Sequence, residues 1–243
     1  SAAGAVVALR HKERSWVATL LSSLAILVMA LFVGMLWHTL ERPPLRTMGE
    51  TRLWYSLFML VAGTVTYHRW HYRWILSFST LMATVFIMIN ILRPEIHDES
   101  LMPALQSVWF IPHVSVYMFS YSLLGCATLL ATCGIVNAKL ELREVIERLL
   151  YGGIGLFTVG MLTGALWAKD AWGAYWSWDA KEAWAAATWG LFLLAIHLPA
   201  RPTRRSNVAY YAIIIAAFLS LQMCWYGVNY LPSAADSIHA YNQ

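Results

Sequence analysis

The sequence predicts an all-α, polytopic integral membrane protein with about seven transmembrane helices, its N-terminus cytoplasmic and its C-terminus outside. Three observations carry this. Apolar residues make up 59% of the 243-residue chain and charged residues only 12%, against about 25% charged in a soluble domain. Seven stretches contain no Asp, Glu, Lys or Arg: 15–40, 53–68, 74–92, 100–138, 149–168, 183–200 and 206–235, together more than two-thirds of the chain. Seven spans of about 20 apolar residues fit within that length. None of the runs shows the period-two alternation of a barrel strand, so helices are left as the way to satisfy the backbone in lipid. A soluble enzyme, a DNA-binding domain and a secreted disulfide scaffold are excluded by the same figures.

Taken in order, spans are expected at 16–38, 53–69, 74–92, 112–137, 149–168, 183–199 and 207–230. The first lies in a charge-free run of 26 residues, too long for the apolar core of a signal peptide. No small-residue cleavage site follows Trp37 and His38. The second is short, and Arg52 and Arg69 are expected to snorkel at its two ends. The fourth opens at Pro112, where proline at the first turn favours a helix start. The sixth begins beyond Asp179, an N-cap residue with Glu182 three positions on, the spacing of a capping box. No internal repeat divides the chain, so residues 1–243 form one integral domain.

Charge sets the orientation. The N-terminal segment and the 69–73, 139–148 and 200–206 connections, which fall on one side, hold 11 of the 17 Lys and Arg residues; the other side holds 6. By the positive-inside rule the first side is cytoplasmic. The net charge of +4 therefore reflects topology, and no nucleic-acid partner is expected. The three cysteines, Cys126, Cys133 and Cys224, all fall within spans and form no Cys-x-x-Cys pair. They read as small buried residues.

The loop between spans five and six, at about 168–184 on the outer face, is the unusual stretch. Five Trp and one Tyr crowd Trp167–Trp184. An interfacial aromatic belt would explain one or two Trp per helix end. The alternative is an aromatic shelf for a large planar ligand, with Trp172 and Trp176 on one face if the loop is helical, flanked by Tyr175. Of the eight histidines, His38, His97, His113 and His239 lie toward the outer face; His11, His68, His71 and His197 lie toward the cytoplasm. His113 follows Pro112, and His239 sits in the outer tail. Two fixed outer imidazoles beside such a shelf have the chemistry to fill both axial positions of a haem iron. His197, inside a span, is a candidate for facing a bundle interior with a partner.

The segment Trp172-Gly-Ala-Tyr175-Trp176-Ser-Trp178-Asp179-Ala-Lys181-Glu182-Ala-Trp184 resembles the tryptophan-rich WWD signature of the CcsA/ResC family of system II cytochrome c biogenesis. The tail, Tyr226-Gly-Val-Asn229 through Ser237-Ile-His239-Ala-Tyr241, is similar to that family's ending. Ala180 stands where the family usually has proline, and Ser-Ile-His replaces the commoner Leu-His-Ser.

The resemblance implies a haem-binding subunit of a cytochrome c synthase. Such a subunit brings haem b to the outer face and, with a CcsB/ResB-type membrane partner, presents it to the Cys-x-x-Cys-His thiols of apocytochrome c. By position His113 and His239 match the axial ligands, and together with Asp179 they form the implied catalytic set. Tyr175, Trp172, Trp176 and Trp178 match the haem-holding loop, and His197 the histidine within the membrane. Arg42, Arg46, Arg52 and Lys181 are cations available to the propionates. The implied setting is a bacterial inner (plasma) membrane, with the haem site facing the periplasm. A b-type bis-histidine electron-transfer cytochrome and a non-catalytic haem exporter or scaffold are the alternative readings.

Overall fold

In the computed structural model, which describes residues 2–10, 15–45, 47–70, 72–93, 107–137, 142–198 and 204–231, every regular element is helical. Seven long helices stand on the seven charge-free runs: α2 (Trp16–Leu40), α3 (Met48–Trp70), α4 (Arg73–Leu92), α5 (Phe110–Val136), α6 (Arg143–Trp172), α7 (Ala180–His197) and α8 (Arg204–Trp225). A short α1 (Ala2–Arg10) precedes them, and a 3-10 turn, Gly227–Tyr230, follows α8. Among the described residues five helices (α2, α4, α5, α6 and α8) are long and apolar enough to cross a membrane. The chain is a multi-pass helical membrane protein.

The boundaries differ from expectation for physical reasons. Helix α6 outruns its apolar core at the start because i,i+4 ion pairs, Arg143–Glu147 at 2.7 Å and Arg148–Glu144 at 2.6 Å, support polar first turns. Helix α3 starts at Met48 rather than 53. Thr47 and Glu50 cap it reciprocally: the Glu50 amide donates to Thr47 Oγ1 (3.1 Å), and the Thr47 amide donates to Glu50 Oε2 (3.2 Å). This earlier start places Arg52 in the second turn, where it is only 8% exposed. Arg52 does not snorkel.

Helix α5 is the centre of the bundle: 61% of its most apolar window is buried, against 22–33% in the other four. Its polar side chains are satisfied by backbone carbonyls. Ser120 donates across to Gly153 O (2.8 Å), while Ser122 and Thr128 donate to carbonyls four residues back in α5. Helix α6 approaches α5 along Gly153, Gly160 and Gly164. A Cβ at these positions would come within 2.7 Å of Leu124, 2.8 Å of Tyr117 and 2.6 Å of His113. Only hydrogen fits there, as at closely packed helix pairs in membranes. On the periphery α2 exposes Leu20, Leu24, Leu27, Leu31 and Met35, a contiguous apolar face suited to lipid.

Helix α1 packs against α2, its Ala5 and Ala8 buried and Gly4 close to Ala18 and Ser22. Nine residues of mostly small apolar type are too short to register as a span, which is why the charge pattern passes over it.

Candidate functional site

His113 lies in the first turn of α5, against α6, at the end of the bundle that carries the 173–179 loop. Its Nδ1 is 2.8 Å from the Gly160 carbonyl oxygen. A carbonyl only accepts, so Nδ1 carries the proton and Nε2 is the basic nitrogen, the tautomer a metal-binding imidazole needs. The ring stacks on Trp167 (centroids 5.3 Å apart, planes 25°) and meets Tyr117 edge-on at 4.8 Å. Gly164 closes the third side.

Trp167 is itself buried between Phe110 (5.4 Å) and Trp172 (4.8 Å). Leu45 from the α2–α3 connection packs into the same cluster, and Trp54 of α3 lies against it. That connection is held by Arg42, whose two terminal nitrogens reach Glu50 at 3.0 and 2.9 Å. Arg42 is therefore committed to a buried carboxylate. Arg46, also expected as a possible anion partner, lies outside the described residues.

The 173–179 loop is not helical, and this corrects the expectation of a shared Trp172–Trp176 face. Gly173 takes the left-handed conformation (φ +82) and ends α6, its carbonyl accepting from Lys169 Nζ at 2.7 Å. Trp172 thus stays on the helix and turns inward to Trp167. Trp176 pairs instead with Trp178 at 5.6 Å, edge to face. Tyr175 and Trp178 are 56% and 72% exposed, offering flat apolar faces. Trp178 holds φ +58, a left-handed conformation rare for a bulky residue and one that marks a constrained site. The indole nitrogen of Trp176 is buried without an acceptor among the described residues.

The constraint comes from the capping box expected at the start of α7, which is present. Asp179 accepts from the Glu182 amide (2.8 Å), and Glu182 accepts from the Asp179 amide (3.3 Å). Glu182, 8% exposed, also accepts from the Ser177 amide at 2.7 Å and the Ser177 hydroxyl at 3.2 Å. One buried carboxylate ties the loop to the helix. Asp179 acts here on the backbone of α7.

Helix heights give this end its shape. Trp225, the last residue of α8, packs on Tyr121 (5.5 Å) and Tyr55 (5.4 Å). His113 precedes Tyr121 by two turns of α5, about 12 Å nearer the loop end at 1.5 Å per residue. The bundle therefore steps down at α8, with Trp225 and Tyr226 stacked at 4.9 Å on the lower tread. Arg52 overlooks this tread. Its Nε donates to Tyr226 Oη at 3.4 Å, and Nη1 is buried with no acceptor among the described residues. A buried guanidinium with spare donor capacity is expensive unless an anion completes it. From sequence Arg52 reads as a snorkelling end, and its burial appears only with the fold; the Gly160-x-x-x-Gly164 spacing, absent from the sequence-based expectations, is what lets α6 come close to His113.

His239, with the rest of the tail, lies outside the described residues. His197 is the last residue of α7, about 26 Å along that helix from its first residue. It is exposed rather than turned into the bundle, with Nδ1 2.8 Å from the Leu193 carbonyl. The structure thus brings His113, Trp172 and Trp167 together, sets Trp176 with Trp178, and keeps His197 at the opposite end. The donor set fits a haem: an imidazole of fixed tautomer, exposed aromatic faces on the 173–179 loop, and a buried guanidinium with a donor unfilled among the described residues.

Comparison with known proteins agrees with the motif. Residues 6–235 match the family described as "Cytochrome C assembly protein". The cytochrome c biogenesis protein CcsA of Guillardia theta is 30% identical over 256 residues, covering 90% of this chain and 83% of that protein. The CcsA of Cuscuta exaltata is 31% identical, covering 79% and 75%. The CcsA of Mesostigma viride is 34% identical over 183 residues, and the match spans 60% of this chain and 58% of that relative's length. This chain belongs to the cytochrome c assembly protein family and, within it, to the CcsA group.

Proposed function

We propose that this chain is the haem-binding subunit of a cytochrome c synthase, holding haem b at its loop end for covalent attachment to apocytochrome c. The observation that carries the reading is the seat of His113: a fixed neutral tautomer, stacked on Trp167. In this reading the chain crosses a bacterial plasma membrane seven times. The basic residues hold the opposite end in the cytoplasm, so the loop and the C-terminus face outward.

His113 and His239 would hold the haem iron through their imidazoles. The chain leaves α8 on the low tread, and the eight residue-to-residue steps from Leu231 to His239 can span at most about 26 Å, at 3.3 Å per step. That exceeds the ~12 Å rise to His113. Held by two imidazoles, a haem would be kept rather than used for oxygen chemistry. When bound, it supplies the iron and the vinyl groups that become thioethers. Trp176, Trp178 and Tyr175 cover it and limit water. Arg52 offers the cation that a propionate requires, and the chain's share of catalysis is positioning. His197, exposed at the cytoplasmic end, suits a site shared with a CcsB/ResB-type partner. The acceptor brings the Cys-x-x-Cys-His thiols.

The test is the visible spectrum of the chain purified with its partner. Wild type should show the ferrous bis-imidazole bands. His113→Ala and His239→Ala should each lose them, and added imidazole should restore them. Bands that persist in both variants would overturn the ligand assignment.

A further inference from the structure

A second feature lies at the opposite end of the bundle, where the proposed haem site has no part. A cavity of about 540 Å³ opens between the first turns of α2, the last turns of α3 and the second turn of α6. Its polar lining is cationic and hydroxylic: Arg69, Arg148 and His68, with Thr19, Ser23 and Thr64. Arg69 leans over the ring of Trp70 (5.5 Å), which also lines the cavity. Glu144 holds one nitrogen of Arg148 at 2.6 Å in an exposed pair, and a guanidinium has five N–H donors to share.

The flanks of the cavity are apolar and face outward. Val65 lines it and is 57% exposed. Along α2, Leu20, Leu24 and Leu27 continue the surface, each more than half exposed. Trp16, 73% exposed at the head of α2, stands where an interfacial aromatic is expected. A soluble anion would use the basic lining and leave this greasy flank unoccupied; a purely apolar ligand would make no use of Arg69 or of the donors Arg148 keeps beyond its Glu144 pair. The combination fits an amphiphile, with an anionic head in the cavity and acyl chains along α2 and α3.

We propose that this cavity binds an anionic phospholipid, its phosphate held by Arg69 and Arg148 and its glycerol oxygens by the threonine and serine hydroxyls. Basic pockets between spans at the membrane surface suit such headgroups. One headgroup there bridges α2, α3 and α6.

The test uses the full chain in detergent, titrated with phosphatidylglycerol, phosphatidylcholine or soluble glycerophosphate, with thermal unfolding as the readout. Phosphatidylglycerol should raise the Tm and the other two should not. Replacing both arginines (Arg69→Gln with Arg148→Gln) should weaken the phosphatidylglycerol response about 30-fold in concentration, two surface cations' worth. Lys169→Gln, at the loop end, should leave the response intact. Equal shifts with phosphatidylcholine, or a response unchanged in the double variant, would overturn the proposal. A full shift with glycerophosphate would show a phosphate site that has no use for the chains, and would overturn it too. If the double variant fails to fold, Arg69→Lys with Arg148→Lys carries the test: charge is kept, so the response should survive, and its loss would refute a charge-based site.

Discussion

Two glycines on one helix provide a sharp test of how His113 is held. Gly155 and Gly164 both lie in the interior of α6, where Gly→Ala ordinarily stabilises a helix by about 0.5–1 kcal/mol. At Gly155 an added Cβ meets nothing within 4 Å; at Gly164 it lands 2.6 Å from both Cε1 and Nδ1 of the His113 ring. To recover an ordinary 3.4 Å contact the imidazole must retreat about 0.8 Å. Its path is blocked by Trp167 and Tyr117, and moving it stretches the 2.8 Å bond to Gly160. Losing that bond costs about 1 kcal/mol and overpacking a further 1–3 kcal/mol. Gly155→Ala should therefore raise the Tm of the purified chain, and Gly164→Ala should lower it, a difference of about 2–4 kcal/mol between the two. On the haem reading, the visible bands of Gly164→Ala should also shift while those of Gly155→Ala stay put. Equal stabilisation by both alanines would refute the packing of His113 against α6.

The loop and the buried cation give further tests. Glu182→Ala strips the acceptor from the Ser177 and Asp179 amides, so it should destabilise the chain by about 2–4 kcal/mol and open the 173–179 loop to limited proteolysis; Glu182→Gln, which keeps an acceptor, should lose less. Arg52→Gln removes an uncompensated buried charge, so without haem its Tm should hold or rise. The same variant should bind haem about 10- to 100-fold more weakly, yet bind haem dimethyl ester, which lacks the carboxylates, as wild type does. Equal binding of acid and ester by wild type would remove Arg52 from the site.

What could be read from residues alone follows from how local the cause is. The long helices were legible because a bilayer forbids charge over a whole span, and that prohibition is written directly into the charge-free runs. The Asp179–Glu182 box was legible because four adjacent residues contain it. The course of the loop before it was not. The four residues from Gly173 to Trp176 can continue a helix, and the choice to stop at Gly173 depends on Lys169 reaching its carbonyl and on Glu182 drawing Ser177 back. Arg52 misled for a similar reason: beside an apolar run it reads as a snorkelling end, until the Thr47–Glu50 cap starts the helix a turn earlier and carries it inside. The seat of His113 needs Trp167, 54 residues on, and only packing brings the two together.

The two sides of the loop-end site are held by different means, and the difference bears on what it can do. His113 is wedged into a helix–helix contact where glycine leaves the only room, so its ring cannot shift without parting α5 from α6. Trp178 stands exposed in a left-handed conformation, on a loop whose main tether is one carboxylate. A resident cofactor is best served by rigidity on every side. A cargo that is received and then handed over is better served by one fixed ligand, which sets its position, and one yielding wall, through which it leaves. The second ligand of the proposed pair follows in sequence after the end of α8, which stops two turns below the first. In a chain that holds haem only until a cytochrome takes it, release would begin at the exposed loop, with His113 the last contact to break.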